Sequence, residues 1–243
     1  MAGWYVDNGL LASNSPSLMS KMVNDIHGSF EISDLGEPTR LLGIKISRDR
    51  ELGTIHLSQP SFINTIAKRF DITHGKLITS IMDPLVELHT EECTNKNTMD
   101  ISYALLIGSI NYCAISTRPD ISYATNKCTQ FTSNPNITHW EGAHHIVWYL
   151  LYTKNHGILY TAKEEGAEGY SHNLAGFTDS DYAGDVNDRN STMGWVFTFN
   201  GSPISWALRK QKLVTRSSME AEFIATSMAS AEAIWLTRLG KDF

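Results

Sequence analysis

Cysteine is scarce in this 243-residue chain: Cys93, Cys113 and Cys128 are the only three, and no two stand in a CxxC spacing. An odd, dispersed set argues against a disulfide framework and a cysteine-built zinc cage, and fits reduced intracellular thiols. Long apolar runs are missing too. The most hydrophobic stretches, Tyr103 to Ile115 and Ile146 to Tyr152, fall short of the roughly 18–20 residues a membrane-spanning helix requires. Asp7, Asn8 and Gly9 interrupt Met1 to Ala12 where a secretory signal would need an apolar core. The expectation is a soluble intracellular chain, cytoplasmic or nuclear, with no membrane partner. Basic charge is not in excess either: 20 Lys and Arg stand against 26 Asp and Glu, a net charge of −6. A nucleic-acid partner would have to be held by a local patch. P-loop, GxGxxG and GxSxG motifs are absent, so nucleotide-cofactor and hydrolase-elbow chemistry have no support.

What is present is an ordinary globular composition, 42% hydrophobic and 19% charged, which excludes disorder and supports a packed core. Residues 3–12 read as two short strands around Asn8-Gly9, a dipeptide suited to a tight hairpin turn. A helix is expected from Ser17 to His27 with Leu18, Met22 and Ile26 on one face. Leu41 to Ser47 and Thr54 to Ser58 alternate about the charged turn Arg48 to Gly53, a second hairpin. From Ser61 to Tyr152 the pattern is helical: Phe62, Ile66 and Phe70 share a face, as do Tyr103, Leu106, Ile110 and Ala114. Asp83-Pro84 and Arg118-Pro119 punctuate it, and Glu91 to Thr98 is the best internal loop. The polar stretch KEEGAEGYSHN marks a boundary, after which strands are expected at Ala175 to Thr178, Gly194 to Phe199 and Ile204 to Leu208, then a helix from Met219 to Leu239.

Carboxylates cluster in this last unit. Asp179, Asp181 and Asp185 lie at a strand end and in the loop beyond, where hard Mg²⁺ would find acidic oxygens and room for water; a solvated, self-capping turn explains the same spacing. Ser217 and Glu220 fit a capping box at the start of the last helix. Glu222 has no such local role and is the better metal-ligand candidate beside Asp179. Arg209, Lys210, Lys212 and Arg216, interleaved with Trp206 and Gln211, form the one dense basic run; it suits a phosphate backbone, or equally a solvated strand edge. His139, His144 and His145 read as an amphipathic helix surface, because His139 and His144 are not at the spacing that puts a metal-binding pair on one helix face.

Six segments in fixed order carry a resemblance: Tyr5-Val6-Asp7-Asn8, FEISDLG from Phe30, Leu42-Gly43-Ile44, Thr117-Arg118-Pro119-Asp120-Ile121, GFTDSDYAG from Gly176, and RSSMEAEF from Arg216. Together they resemble the C-terminal part of the Pol polyprotein of copia-like LTR retrotransposons over nearly the whole chain. The resemblance implies an α+β and α/β organisation. Residues 1–60 would be a reverse-transcriptase palm remnant and 61–163 a helical thumb and connection-like region. Residues 164–173 would be a linker and 174–243 a truncated, ribonuclease H-like β-β-β-α unit. By the same resemblance Asp7 matches the first Asp of the polymerase tyrosine-x-Asp-Asp hairpin, with Asn8 in place of the second, and Leu42-Gly43-Ile44 is similar to the primer-gripping hairpin. Asp179 and Glu222 match the first-strand and first-helix carboxylates of ribonuclease H. The implied cofactor is Mg²⁺ or Mn²⁺, and the implied partners are an RNA–DNA hybrid or a DNA or RNA template. Because the family draws further carboxylates from beyond the last helix and a palm Asp from before the first hairpin, both centres are expected to be incomplete. The expectation is a Pol-derived fragment without autonomous catalysis, with an active ribonuclease H and a repurposed nucleic-acid-binding module as alternatives. An exposed edge at Leu174 to Thr178 would then invite self-association.

Overall fold

The computed structural model describes residues 2–72, 78–82, 88, 99–162, 174–185 and 187–241. The arrangement is mixed α+β. The opening hairpin pairs β1 (Ala2–Tyr5) with β2 (Asn8–Leu11), Tyr5 opposite Asn8. Its turn is therefore Val6-Asp7, not Asn8-Gly9. The reason is Trp4, whose ring lies so close over Gly9 that a Cβ there would overlap it, which fixes Gly9 as a strand residue. Helix α1 (Pro16–His27) begins at Ser15, whose hydroxyl accepts from the Leu18 amide, with Pro16 in the first turn where its missing N–H costs nothing. Met19, Met22, Val23 and Ile26 are its half-buried face, and Leu18 is exposed.

A four-stranded antiparallel sheet follows in the order β3 (Arg40–Leu41), β4 (Ile44–Asp49), β5 (Thr54–Ser58) and β6 (Gly157–Thr161). Leu42-Gly43 is the turn between β3 and β4, both residues at positive φ, which shortens the strand expected from Leu41. Strand β6 was not evident from periodicity. It packs so tightly on β5 that a Cβ on Gly157 would overlap the Leu57 carbonyl oxygen.

Between β5 and β6 the chain forms α2 (Pro60–Arg69), α3 (Met99–Ser116), a 3-10 turn at Pro119–Ile121, α4 (Ser122–Thr129) and α5 (Ile137–Tyr152). Tyr103, Leu106, Ile110 and Ala114 of α3 are buried together with Ile66, Ile121, Ile146 and Leu150, so the expected apolar faces are the observed core. His139 is a correction: it is buried rather than on the surface. Its Nδ1 accepts from the Asn136 amide while Asn136 accepts from its own, a reciprocal cap on α5, and its ring stacks on Phe131 at 4.0 Å.

The Thr117-to-Ile121 motif has a structural job. The Arg118 side chain is almost fully buried and gives Nε and Nη2 to Asp120 (2.9 and 2.7 Å), Nη1 to the Thr153 carbonyl (3.1 Å) and Nη2 to the Thr153 hydroxyl (2.7 Å). The Tyr149 hydroxyl also donates to Asp120, and Thr117 donates to Gln59 at 2.7 Å. One buried cation thus ties the end of α3 to the last turn of α5, and satisfies a helix-terminal carbonyl that has no intrahelical partner.

The last unit is a three-stranded antiparallel sheet, β7 (Leu174–Asp181), β8 (Thr192–Phe199) and β9 (Ser202–Lys210), with α6 (Ser218–Gly240) on one face. Ala229 and Leu236 of α6 cover Trp195 and Phe197. The boundary segment 164–173 and the loop Glu91 to Thr98 lie outside the described residues. Among the described residues no helix is long and apolar enough to cross a membrane.

A candidate metal and nucleic-acid site

Strand β7 places Asp179 near its end, opposite Gly194 of β8, and α6 places Glu222 in its second turn. Alternation along β7 turns Ser180 toward α6 and Asp179 toward the opposite face. The two carboxylates nevertheless meet at one backbone group: the Ser180 amide donates to Asp179 Oδ1 at 2.9 Å and to Glu222 Oε1 at 3.4 Å. Neither carboxylate forms an ion pair with a basic side chain among the described residues. The Ser180 hydroxyl beside them is buried without a hydrogen-bond partner among the described residues. Asp179 is exposed and Glu222 half-buried. Two uncompensated oxygen donors open to solvent are a fit for one hard divalent cation that keeps much of its water. No third acidic, histidine or cysteine side chain joins them among the described residues.

The start of α6 separates the roles of its two glutamates. Ser217 Oγ accepts from the Glu220 amide at 3.2 Å, but the Glu220 carboxylate accepts from the Arg216 amide at 2.7 Å rather than from the cap residue's own. Glu220 is thereby occupied one residue earlier than a standard capping box places it, and Glu222 is left for the β7 end.

Asp181 is the last residue of β7, opposite Thr192, and Asp185 in the loop beyond is already engaged. Asp185 is buried and is paired with Lys210 Nζ at 2.9 Å, and its Oδ1 accepts from the Asn187 and Asp188 amides. Burial pushes its carboxyl upward, but Lys210 and the two amides outweigh that and hold it below the usual carboxylate range. Lys210 also reaches Asp188 at 2.7 Å. Burial opposes its charge, and the two carboxylates more than compensate, raising its pKa. This cluster closes the loop from β7 to β8.

The basic run is consequently divided. Lys210 is spent on the loop, and the Arg209 guanidinium lies 5.2 Å from the Trp195 ring centre. Lys212 and Arg216 are exposed just before α6. Trp206 donates its indole N–H to the Ala114 carbonyl at 2.8 Å, docking β9 on α3. Its ring also lines a groove of about 510 Å³ between the sheet and the Pro119–Ile121 turn with α4, together with Phe177, Asp179 and Asp120. Asp7 sits at the tip of the opening hairpin, whose two strands pair only with each other among the described residues. The structure therefore brings Asp179 and Glu222 together and leaves Asp7 apart from them. Missed by sequence reasoning were the Ser180 amide and the groove. The shared strand face of Phe177 and Asp179 was the available signal for the second.

Comparison with known proteins gives the same family as the motifs. The chain is 34% identical over 239 residues to the retrovirus-related Pol polyprotein from transposon TNT 1-94 of Nicotiana tabacum, covering 96% of this chain and 18% of that protein. It is 35% identical over 235 residues to the Pol polyprotein from transposon RE1 of Arabidopsis thaliana, covering 97% of this chain and 15% of that one. An uncharacterized mitochondrial protein of Arabidopsis thaliana is 30% identical over 231 residues, 95% of this chain and 92% of its own length. The chain belongs to the Pol polyprotein family of copia-like retrotransposons. It spans less than a fifth of the length of the transposon polyproteins it matches. No family model matches the chain, and no solved structure matches it significantly.

Proposed function

We propose that this Pol-derived chain engages RNA–DNA hybrids through a ribonuclease H-related unit, residues 174–241, supported by a palm-like and thumb-like region over residues 2–162. The observation that carries this reading is the convergence of Asp179 and Glu222 on the Ser180 amide. A bound Mg²⁺ or Mn²⁺ would supply Lewis-acid polarisation of a phosphate oxygen and an activated water. The chain's own residues hold and orient: Asp179 and Glu222 present oxygens, and Lys212 and Arg216 offer exposed charge to the phosphate backbone. Two-metal hydrolysis needs cations about 3.5–4 Å apart. The pair accounts for one cation among the described residues, so in this reading efficient cleavage requires a further carboxylate. Asp7, with Asn8 beside it, is the corresponding polymerase-type ligand in this reading and carries no activity alone.

The test is titration of a labelled RNA–DNA hybrid with the full chain in Mg²⁺ or Mn²⁺, followed by analysis of the strands. Expected is binding that weakens with salt, with the slope of log K against log salt smaller by about 1 in Lys212→Ala, and little or no cleavage. Rapid cleavage that disappears in Asp179→Asn and Glu222→Gln would replace this reading with that of an active ribonuclease H. Absence of hybrid binding at low salt would overturn both.

The outer edge of β7 is unpaired among the described residues, and such an edge is a template for another strand. The reading includes self-association of two copies through β7. A monomer at all concentrations in sedimentation would contradict that part.

A further inference from the structure

We propose that the groove between the β7-β8-β9 sheet and the Pro119–Ile121 turn with α4 is a subsite for an unpaired nucleobase of the strand held at the Asp179/Glu222 pair. This rests on the nucleic-acid reading above and adds the chemistry of one contact.

The floor of the groove is the sheet face turned away from α6. The register sets Phe177 opposite Val196 and Val196 opposite Trp206, and Asp179 opposite Gly194, so these side chains share that face. The wall is built by Pro119, Asp120 and Tyr123. Phe177 is 62% exposed and Tyr123 49% exposed; no aromatic ring stacks on Phe177, Tyr123 or Trp206 among the described residues, and the Lys127 ammonium lies 5.7 Å from the Tyr123 ring centre. Large exposed rings along one open groove of about 510 Å³ form a contiguous apolar patch, not scattered surface apolarity.

Charge selects the occupant. No lysine or arginine lines the groove; Asp120 there is already paired with Arg118 and Tyr149, and Asp179 is the lining carboxylate without an ion-pair partner among the described residues. A phosphate finds no lining cation to hold it there. A nucleobase is neutral, presents a flat π-face to the rings, and carries amino or imino N–H donors that the Asp179 carboxylate can accept. The exposed cations Lys212 and Arg216 lie outside the groove, so backbone and base are sorted to different surfaces. Because Asp179 belongs both to the groove and to the carboxylate pair, a base seated in the groove would position its own strand at that pair.

The test compares binding of the full chain to a labelled short oligodeoxycytidine and to an abasic oligomer of the same length. The base-bearing strand is expected to bind about tenfold more tightly, and Phe177→Ala and Tyr123→Ala each to lose about fivefold or more for it, with the abasic oligomer unaffected. Phe177→Tyr, which keeps the ring, restores binding. Lys212→Ala weakens both oligomers alike. Both truncated rings are exposed, and unchanged melting of the variants confirms that folding is intact. Equal affinity for the two oligomers, or equal loss for both in Phe177→Ala, would overturn the subsite and leave hybrid binding standing. If neither oligomer nor hybrid binds, the subsite falls together with the functional reading it rests on.

Discussion

At the residue scale, two clusters among the described residues hold buried charge, around Arg118 and around Asp185, and both have pH consequences. Burial would raise the Asp120 carboxyl, but the hydrogen bonds and charge of Arg118, with the Tyr149 hydroxyl, hold it below its ordinary value. Asp185 is lowered in the same way by Lys210 and two amides. A carboxyl depressed on folding contributes stability that is complete above the unfolded pKa, about 3.9, and is lost as pH falls through the lower folded value. Acid unfolding is therefore expected to be less steep in Asp120→Asn, as measured by urea midpoints across pH 2 to 5. Arg118→Leu leaves Asp120 and Thr153 facing a lost partner, and is expected to cost about 3–5 kcal/mol in equilibrium unfolding. Burial pushes the Cys113 and Cys128 thiols up to about 12, so both are expected to resist a thiol reagent at neutral pH until the protein unfolds. The Arg118-Pro119 punctuation was visible in the sequence. That Arg118 is a buried hub was not, because Thr153 lies far along the chain and only packing unites them.

Elements whose periodicity is strong and local were legible: α1, α2, α3 and the β4–β5 hairpin stand where alternation or helical spacing places them. Strand β6 was not, since Ile158, Leu159 and Tyr160 form a short apolar run without alternation directly after a helix, and its register is set by β5, about a hundred positions earlier. Contact at Gly157 enforces that register. Gly157→Ala is expected to cost about 1–3 kcal/mol, since the obstructing atom is a backbone carbonyl that cannot turn aside; thermal unfolding against the parent chain checks it. The opening turn was displaced for a related reason, as an aromatic ring laid over Gly9 outranks the turn preference of Asn-Gly.

At the scale of the whole molecule, helices and last sheet are joined by side chains that satisfy backbone groups across the boundary. Trp206 donates to Ala114, one of the last carbonyls of α3, and Asn126 donates to Leu208 at 3.2 Å. Tyr160 and Ser202 make reciprocal bonds, to Pro203 at 2.9 Å and Leu159 at 2.6 Å. Trp206→Phe keeps most of the ring and orphans the Ala114 carbonyl, and is expected to lower stability by about 1–3 kcal/mol in calorimetry. The carboxylate pair was half legible. Asp179 and Glu222 could be singled out by strand-end position and by the capping role that occupies Glu220, but their meeting at the Ser180 amide depends on how α6 seats on β7. Whether a cation is held where the two carboxylates meet is read by Mn²⁺ titration followed by electron paramagnetic resonance. One bound ion per chain, lost in both Asp179→Asn and Glu222→Gln and retained in Asp7→Asn, is the predicted result. Binding that survives both substitutions, or no binding by the folded parent chain, would contradict it.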